Sequence, residues 1–215
     1  QVINGDYDSY IKSWAQGFKN LNAPVLVRLS NEMNGSWTQW SLDDNDQDAD
    51  LYKLAYRHFV DVIRKQGAEN VKFVWNPNAT SAPDYSWNDA SLFYPGDEYV
   101  DWVGLTHYNF GTAEWSKFVY FDDLYKNLYA TYLRQFPNKP FIIGEFASAV
   151  EGGNKPYFIS NYLNNIGSKY RNIRIAIWFD EIDGKYDFRI HSSEATESAF
   201  KQGVKNGKFT SYPIY

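Results

Sequence analysis

Pro140-Phe141-Ile142-Ile143-Gly144-Glu145-Phe146 is an almost continuous apolar run of strand length that ends on a carboxylate. A strand with one wet face alternates apolar and polar side chains, whereas a run without alternation belongs to a parallel strand buried on both faces by helices. Residues 24–29, 71–75, 99–106 and 173–179 have the same character. Between the runs lie segments with helical spacing. Tyr7, Tyr10, Ile11, Trp14 and Phe18 mark the first, near 7–20, and Leu51, Leu54, Ala55, Phe59, Val62 and Ile63 mark the second, which Gly67 stops. Further helices are expected at 121–136, with Leu124, Leu128 and Tyr132 inward, at 157–166 and at 193–205. The chain reads as α/β, built of βα units.

No Pro/Gly/Ser-rich linker, internal repeat or low-complexity segment divides the chain, so 1–215 is read as one domain. A βα barrel and a doubly wound sheet are the candidates, and the absence of any Gly-x-Gly-x-x-Gly or Walker sequence after a strand favours the barrel. Polar and aromatic residues instead cluster at the C-terminal ends of the strands, which favours a (β/α)8 TIM barrel. Five strands are visible where a barrel needs eight, and 215 residues fall short of the usual ~250.

Composition narrows the function. The 21 Lys plus Arg stand against 26 Asp plus Glu, and no basic stripe is present that could neutralise a phosphate backbone, so nucleic acid is not expected as a partner. No apolar run approaches the roughly 20 residues of a membrane helix, and no basic-then-apolar leader follows Gln1. Zero Cys removes thiol catalysis, disulfides and Cys-ligated zinc. The aromatic content is high at 19%. It suits either a large core or a groove that grips a hydroxyl-rich ligand.

Strand parity locates candidate chemistry. Phe141, Ile143 and Glu145 share one face, as do Arg28, Ser30 and Glu32, so two carboxylates are expected to end two parallel strands on one side of a sheet. Carboxylates about 5 to 5.5 Å apart suit retaining glycoside hydrolysis, in which one attacks the anomeric carbon and the other serves as acid and then base. Arg28 could keep the nucleophile ionised and is also counted among the expected substrate-binding residues. The alternative is that each Glu is an ordinary ion-pair partner.

The run Arg28-x-x-Asn31-Glu32-Met33-Asn34-Gly35-x-Trp37-x-x-Trp40 resembles the acid/base segment of glycoside hydrolase family 26. So, in family order, do Trp75-Asn76-Pro77-Asn78, Asp101 to Asn109, Gly144-Glu145-Phe146, Ile177 to Glu181 and Asp187-Phe188-Arg189-Ile190. The resemblance implies a clan A (β/α)8 enzyme that cleaves β-mannan, mixed-linkage β-glucan or β-xylan by a retaining double displacement, secreted and without cofactor or metal. It implies Glu32 as general acid/base, Glu145 as nucleophile, Tyr108 as the group that positions the nucleophile, and Trp178 as the floor under the sugar at the cleavage point. Trp37, Trp40 and Trp75 would extend the groove, or else pack under loops. Aligned in this way, the visible strands are the fourth to eighth. The first three are then expected to lie outside a fragmentary chain, to come from another chain, or to be replaced by dimerisation. The family commonly has His where Asn31 stands; Asn can hydrogen-bond a sugar hydroxyl but does not titrate.

The opening Val2 to Ile11 looks more like the glucanase (lichenase) members, which tilts the expected substrate towards β-1,3-1,4-glucan, with β-1,4-mannan close behind. Two other classes compete: a carbohydrate-binding protein without turnover, and a barrel lyase or aldolase, for which a strand-end Lys or a phosphate-binding Gly loop is missing. Asp43, Asp44, Asp46, Asp48 and Asp50 crowd one loop, but an EF-hand register from Asp44 places Ala49 and Ala55 where Gly and Glu belong, so a solvated loop with a helix cap is expected. His58, His107 and His191 share no metal-ligand spacing. Asn34-Gly35-Ser36 and Asn78-Ala79-Thr80 match the N-glycosylation pattern and are read as unmodified. Asp180 and Glu181 are open between sugar binding and capping.

Overall fold

The computed structural model describes residues 1–42, 46–113, 115–207 and 209. They form two compact units, Gln1–Leu105 and Thr106–Tyr215. The first unit contains α1 (Asp8–Asn20), β1 (Val25–Arg28), α2 (Ala49–Lys65), β2 (Val71–Trp75) and all but the last residue of β3 (Trp102–Thr106). β1 and β2 run parallel with Val25 beside Val71 and Arg28 beside Val74, and β2 runs parallel to β3 with Trp75 beside Val103. Two 3₁₀ turns, Ser86–Asn88 and Ala90–Phe93, connect β2 to β3 in place of a helix.

Helix α2 starts at Asp48, whose carboxylate accepts from the amides of Asp50 and Leu51, and Gly67 ends it with a φ of 71°. Such a cap contributes about 1 kcal/mol. Asp50 pairs with Lys53 at 2.6 Å, while Asp43 and Asp44 lie outside the described residues. The inward face of α2 differs from the one expected. Leu51 and Leu54 are exposed, and Tyr52, Tyr56, Val60 and Ile63 are the buried face. Each large apolar side chain buried there contributes roughly 1.5–3 kcal/mol. The Tyr52 ring packs while its hydroxyl reaches a main-chain acceptor, Ser30 O at 3.2 Å.

On α1 the expected inward stripe is also partly outward. Ile11 and Ala15 are buried, whereas Tyr10 and Trp14 are exposed and continue edge-to-face through Phe18, with centroids 5.8 and 5.6 Å apart.

The second unit contains α3 (Phe121–Gln135), β4 (Phe141–Phe146), α4 (Lys155–Lys169), β5 (Ile173–Trp178), a short antiparallel hairpin of β6 (Ile182–Asp183) and β7 (Tyr186–Asp187), and α5 (Glu194–Asn206). β4 and β5 are parallel. The core between these strands and helices is aromatic: Phe121 packs against Tyr125, Phe146, Phe158, Tyr162 and Tyr170, all within 6.3 Å between centroids. Residue 99, expected in a strand, sits in a turn, and β3 begins at Trp102.

Candidate active site

In the first unit the carboxylate of interest is on a turn, which corrects the parity argument. β1 ends at Arg28, and the chain then takes left-handed backbone at Ser30 (φ 46°) and Glu32 (φ 56°), so extended alternation stops before Glu32 is reached. Its placement comes from hydrogen bonds. The Glu32 amide donates to Asn76 O at 2.7 Å, just beyond the C-terminal end of β2, and Trp37 Nε1 donates to Glu32 Oε2 at 2.7 Å. Arg28 Nε donates to Asn76 Oδ1 at 2.9 Å, so Arg28 helps fix the residue on which Glu32 rests. Two glycines permit these approaches: a Cβ on Gly35 would overlap the Trp37 ring, and one on Gly104 would overlap Asn76.

Trp40 Nε1 donates to Asn31 O at 2.7 Å, closing the loop that carries the acid/base candidate. Trp37 and Trp40 remain 55% and 41% exposed, open to a ligand. Trp75 does not. It is 1% exposed and packs edge-on against Tyr94 with centroids 5.1 Å apart, which corrects the expectation that it extends a groove. A strand-end residue of a closely covered sheet has its ring committed to the interior.

A residue overlooked at the sequence level organises this loop. Asn34 is buried; its Nδ2 donates to Asn78 O and Ser81 Oγ, its Oδ1 accepts from the Asn78 amide, and its carbonyl accepts from the Ala82 amide and Asn88 Nδ2. The glycosylation pattern drew attention to Asn34 as a loop residue and hid this role. With its amide nitrogen engaged and buried, the side chain presents no surface to a glycan.

In the second unit Glu145 is on β4, and Tyr108 Oη donates to its Oε2 at 2.8 Å. The two are held in register by a parallel bridge just beyond them, in which the Asn109 amide donates to Ala147 O and the Ala149 amide to Asn109 O. Buried Asn109 secures the following loop through its side chain: Nδ2 donates to Ser148 Oγ, and Oδ1 accepts from the amides of Gly111 and Val119. Tyr108 packs among Phe110, Phe179 and Phe188.

Trp178, at the end of β5, is half-buried against Phe146, and its Nε1 donates to Phe188 O at 2.8 Å. The strap bearing Phe188 is clamped from behind. Lys155 is 2% exposed and its Nζ donates to the carbonyls of Asp187 and Arg189, either side of Phe188, at 2.9 and 2.8 Å. Burial pulls the Lys155 pKa down to about 8. Asp187 is bidentate to Arg189, whose hydrogen bonds hold the carboxyl at about 2. Asp180 accepts from the Ile190 amide, which fastens the strap to the chain just beyond β5. Lys155 escaped notice because Asn154-Lys155-Pro156 looks like an ordinary helix start.

His107 turns the other way from Tyr108, edge-on to Tyr125, and burial lowers its pKa. His58 pairs with Asp8 at 2.7 Å, joining α2 to α1. Among the described residues no three His, Asp or Glu side chains stand together as metal ligands.

The family model described as Glycosyl hydrolase family 26 matches residues 1–202. The chain is 36% identical over 212 residues to Endoglucanase H of Acetivibrio thermocellus, covering 96% of this chain and 23% of that protein. It is 32% identical over 182 residues to a mannan endo-1,4-beta-mannosidase of Bacillus subtilis, covering 80% of this chain and 44% of the relative. The chain thus spans about a quarter to under half the length of these curated relatives. Among solved structures, a modular endo-beta-1,4-mannanase from Cellulomonas fimi superposes with a TM-score of 0.69 at 18% identity, over 96% of this chain and 47% of that one. The Bacillus subtilis mannanase BCman superposes with a TM-score of 0.56 at 28% identity, over 86% and 52%. These likenesses assign the partial (β/α)8 fold class read from the strands.

Proposed function

The chain belongs to glycosyl hydrolase family 26, and on that premise we propose that it carries the catalytic carboxylates of a retaining endo-β-glycanase. The observation that supports this most directly is the 2.8 Å hydrogen bond from Tyr108 to Glu145. A carboxylate nucleophile must present one oxygen to the anomeric carbon, and a phenol fixed on the other oxygen sets the direction of attack.

In this reading Glu145 forms a bond to the anomeric carbon while Glu32 gives its proton to the departing glycosidic oxygen. Glu32, now ionised, then takes a proton from water, whose oxygen attacks the same carbon and releases Glu145. Trp178 offers its face to the apolar side of the sugar, and the strap behind it fixes the ring plane. Trp37 has a second task besides lining the site: its indole N–H keeps one Glu32 oxygen oriented. Asn31 contributes hydrogen bonding without a proton exchange of its own.

The substrate proposed first is β-1,3-1,4-glucan, supported by the glucanase-like opening segment and by the likeness to Endoglucanase H over nearly the whole chain. β-1,4-Mannan is the second reading, favoured by the likeness to mannan endo-1,4-beta-mannosidases and mannanase structures. Action on such polymers places the protein outside the cell. The test is oligosaccharide release from both polymers, in parallel, by the purified chain and by Glu145→Ala. Release by the parent and none by the variant is expected. Release by both removes Glu145 from the mechanism, and release by neither removes the glycanase reading for this chain.

A further inference from the structure

Between β2 and β3 the 3₁₀ turn Ser86–Asn88 sets Tyr85 beside Trp87, with ring centroids 5.8 Å apart and planes tilted by 33°. Tyr85 is 61% exposed and Trp87 is half-buried. Burial does not account for the pair, because a ring as open as that of Tyr85 contributes little to the core. Mobility does not account for it either. Asn88 is buried, and its Nδ2 donates to Pro83 O at 2.9 Å and Asn34 O at 3.0 Å. Ser81 Oγ donates to Asn88 O at 2.6 Å, and the amides of Tyr85 and Asn88 donate to Pro83 O and Tyr85 O. A parallel bridge joins Ala82 to Gly35, three residues from Glu32.

The turn and the Glu32 loop are therefore one fastened body with Asn34 at its centre, and the body carries two exposed rings, Trp37 and Tyr85, with the half-buried Trp87 beside Tyr85. Flat apolar faces with polar edges match pyranose rings, which have C–H faces and hydroxyl rims. A rigid turn holds them without a large ordering cost on binding.

We propose that Tyr85 and Trp87 form a sugar-binding platform for further residues of a β-linked polysaccharide, on the leaving-group side of the bond cleaved. The assignment of side rests on the reading of Glu32 as acid/base: that carboxyl addresses the departing oxygen, and the platform is fastened to its loop. The platform would make the protein prefer long chains to short ones, while leaving the chemistry to other residues.

The test is electrophoresis of the intact chain through native gels containing soluble mixed-linkage β-glucan or galactomannan, beside Tyr85→Ala/Trp87→Ala and the single Tyr85→Ala. Circular dichroism checks folding, and the single variant covers the case in which loss of Trp87 unfolds the loop. Retardation of the parent by one polymer, weakened about tenfold in the double variant and partly in the single, is expected. Equal retardation of parent and folded variants, or no retardation of the parent, overturns the platform. Hydrolysis separates the two readings, because a parent that is retarded through Tyr85 and Trp87 but releases no sugar keeps the platform and refutes the glycanase. Where hydrolysis is seen, kcat/KM on polymer should fall about tenfold relative to kcat/KM on an aryl glycoside, which has no sugar beyond the cleaved bond. An unchanged ratio refutes the leaving-group side.

Discussion

Replacing Lys155 by methionine tests the clamp behind Trp178. The amine is 2% exposed and bonded to two carbonyls. Burial is the largest influence on it and moves its pKa from the usual 10.5 to about 8, against the opposing pull of Asp187, Asp180 and Glu151; Arg189 adds a smaller push downward. In the unfolded chain it titrates near 10.5, so between about 8 and 10.5 the unfolded state binds more protons and the folded state gains stability as pH rises. The cost of the buried ammonium is fully present below about 8 and absent above 10.5. Methionine has no proton to exchange. The difference in unfolding free energy between the parent and Lys155→Met therefore isolates this group, and it should widen in the parent's favour by about 1 kcal/mol from pH 7 to pH 9. At both pH values the variant leaves the carbonyls of Asp187 and Arg189 short of a donor, a loss of about 1–3 kcal/mol each, partly offset at pH 7 by relief of the ammonium's burial. Urea unfolding followed by far-UV circular dichroism at the two pH values measures the difference. A gap that stays constant or narrows refutes a buried, proton-exchanging Lys155.

Tyr108→Phe keeps the ring in its aromatic surroundings and removes the bond to Glu145; kcat on polymer should fall about 10- to 100-fold, the worth of one hydrogen bond to a charged group, and unchanged kcat would show that the phenol only packs. Trp37→Phe removes the N–H that holds Glu32, and it should slow natural polymer more than aryl glycosides with good leaving groups, which need little protonation. Equal slowing of both, measured as initial rates, would detach Trp37 from the acid step. Gly104→Ala forces a methyl against buried Asn76 and should cost about 1–3 kcal/mol in urea unfolding, together with a loss of turnover, since Asn76 O holds the Glu32 amide. Parent-like unfolding would mean that Asn76 yields freely.

The strands were legible because continuous apolar runs have few other destinations: 71–75 and 141–146 were located to the residue, and the βα order followed. Helix faces were less legible. Counting Leu51 and Leu54 as inward and passing over Tyr52 and Tyr56 treated hydrophobicity as a property of residue type, whereas burial depends on the helix face a residue occupies and how much area a ring covers. On α1 the spacing identified an aromatic stripe but could not say that much of it faces outward. Both candidate carboxylates were singled out by strand parity, a reason that is incomplete for each. The pairing of β4 with β5 slips between Ile143 and Phe146, where Glu145 stands, and a left-handed turn after β1 precedes Glu32; neither irregularity follows a period-two rule, and nothing in Leu29-Ser30-Asn31 announces the turn. Asn34, Asn76 and Lys155 were missed because their value comes from bonds to main-chain groups 32 to 48 positions away. Such bonds leave no local pattern.

The left-handed backbone at Glu32 has a consequence for the evolution of this protein. A residue with a Cβ is held there at a cost of roughly 1–2 kcal/mol that glycine would not incur. Among substitutions that relax the loop, Glu32→Gly is therefore a candidate to raise thermal stability, and it is the one that would end the proposed catalysis. Random mutagenesis screened for heat resistance alone would drift towards that dead sequence. A library screened for turnover would keep the strained carboxylate and have to find its stability elsewhere in the chain.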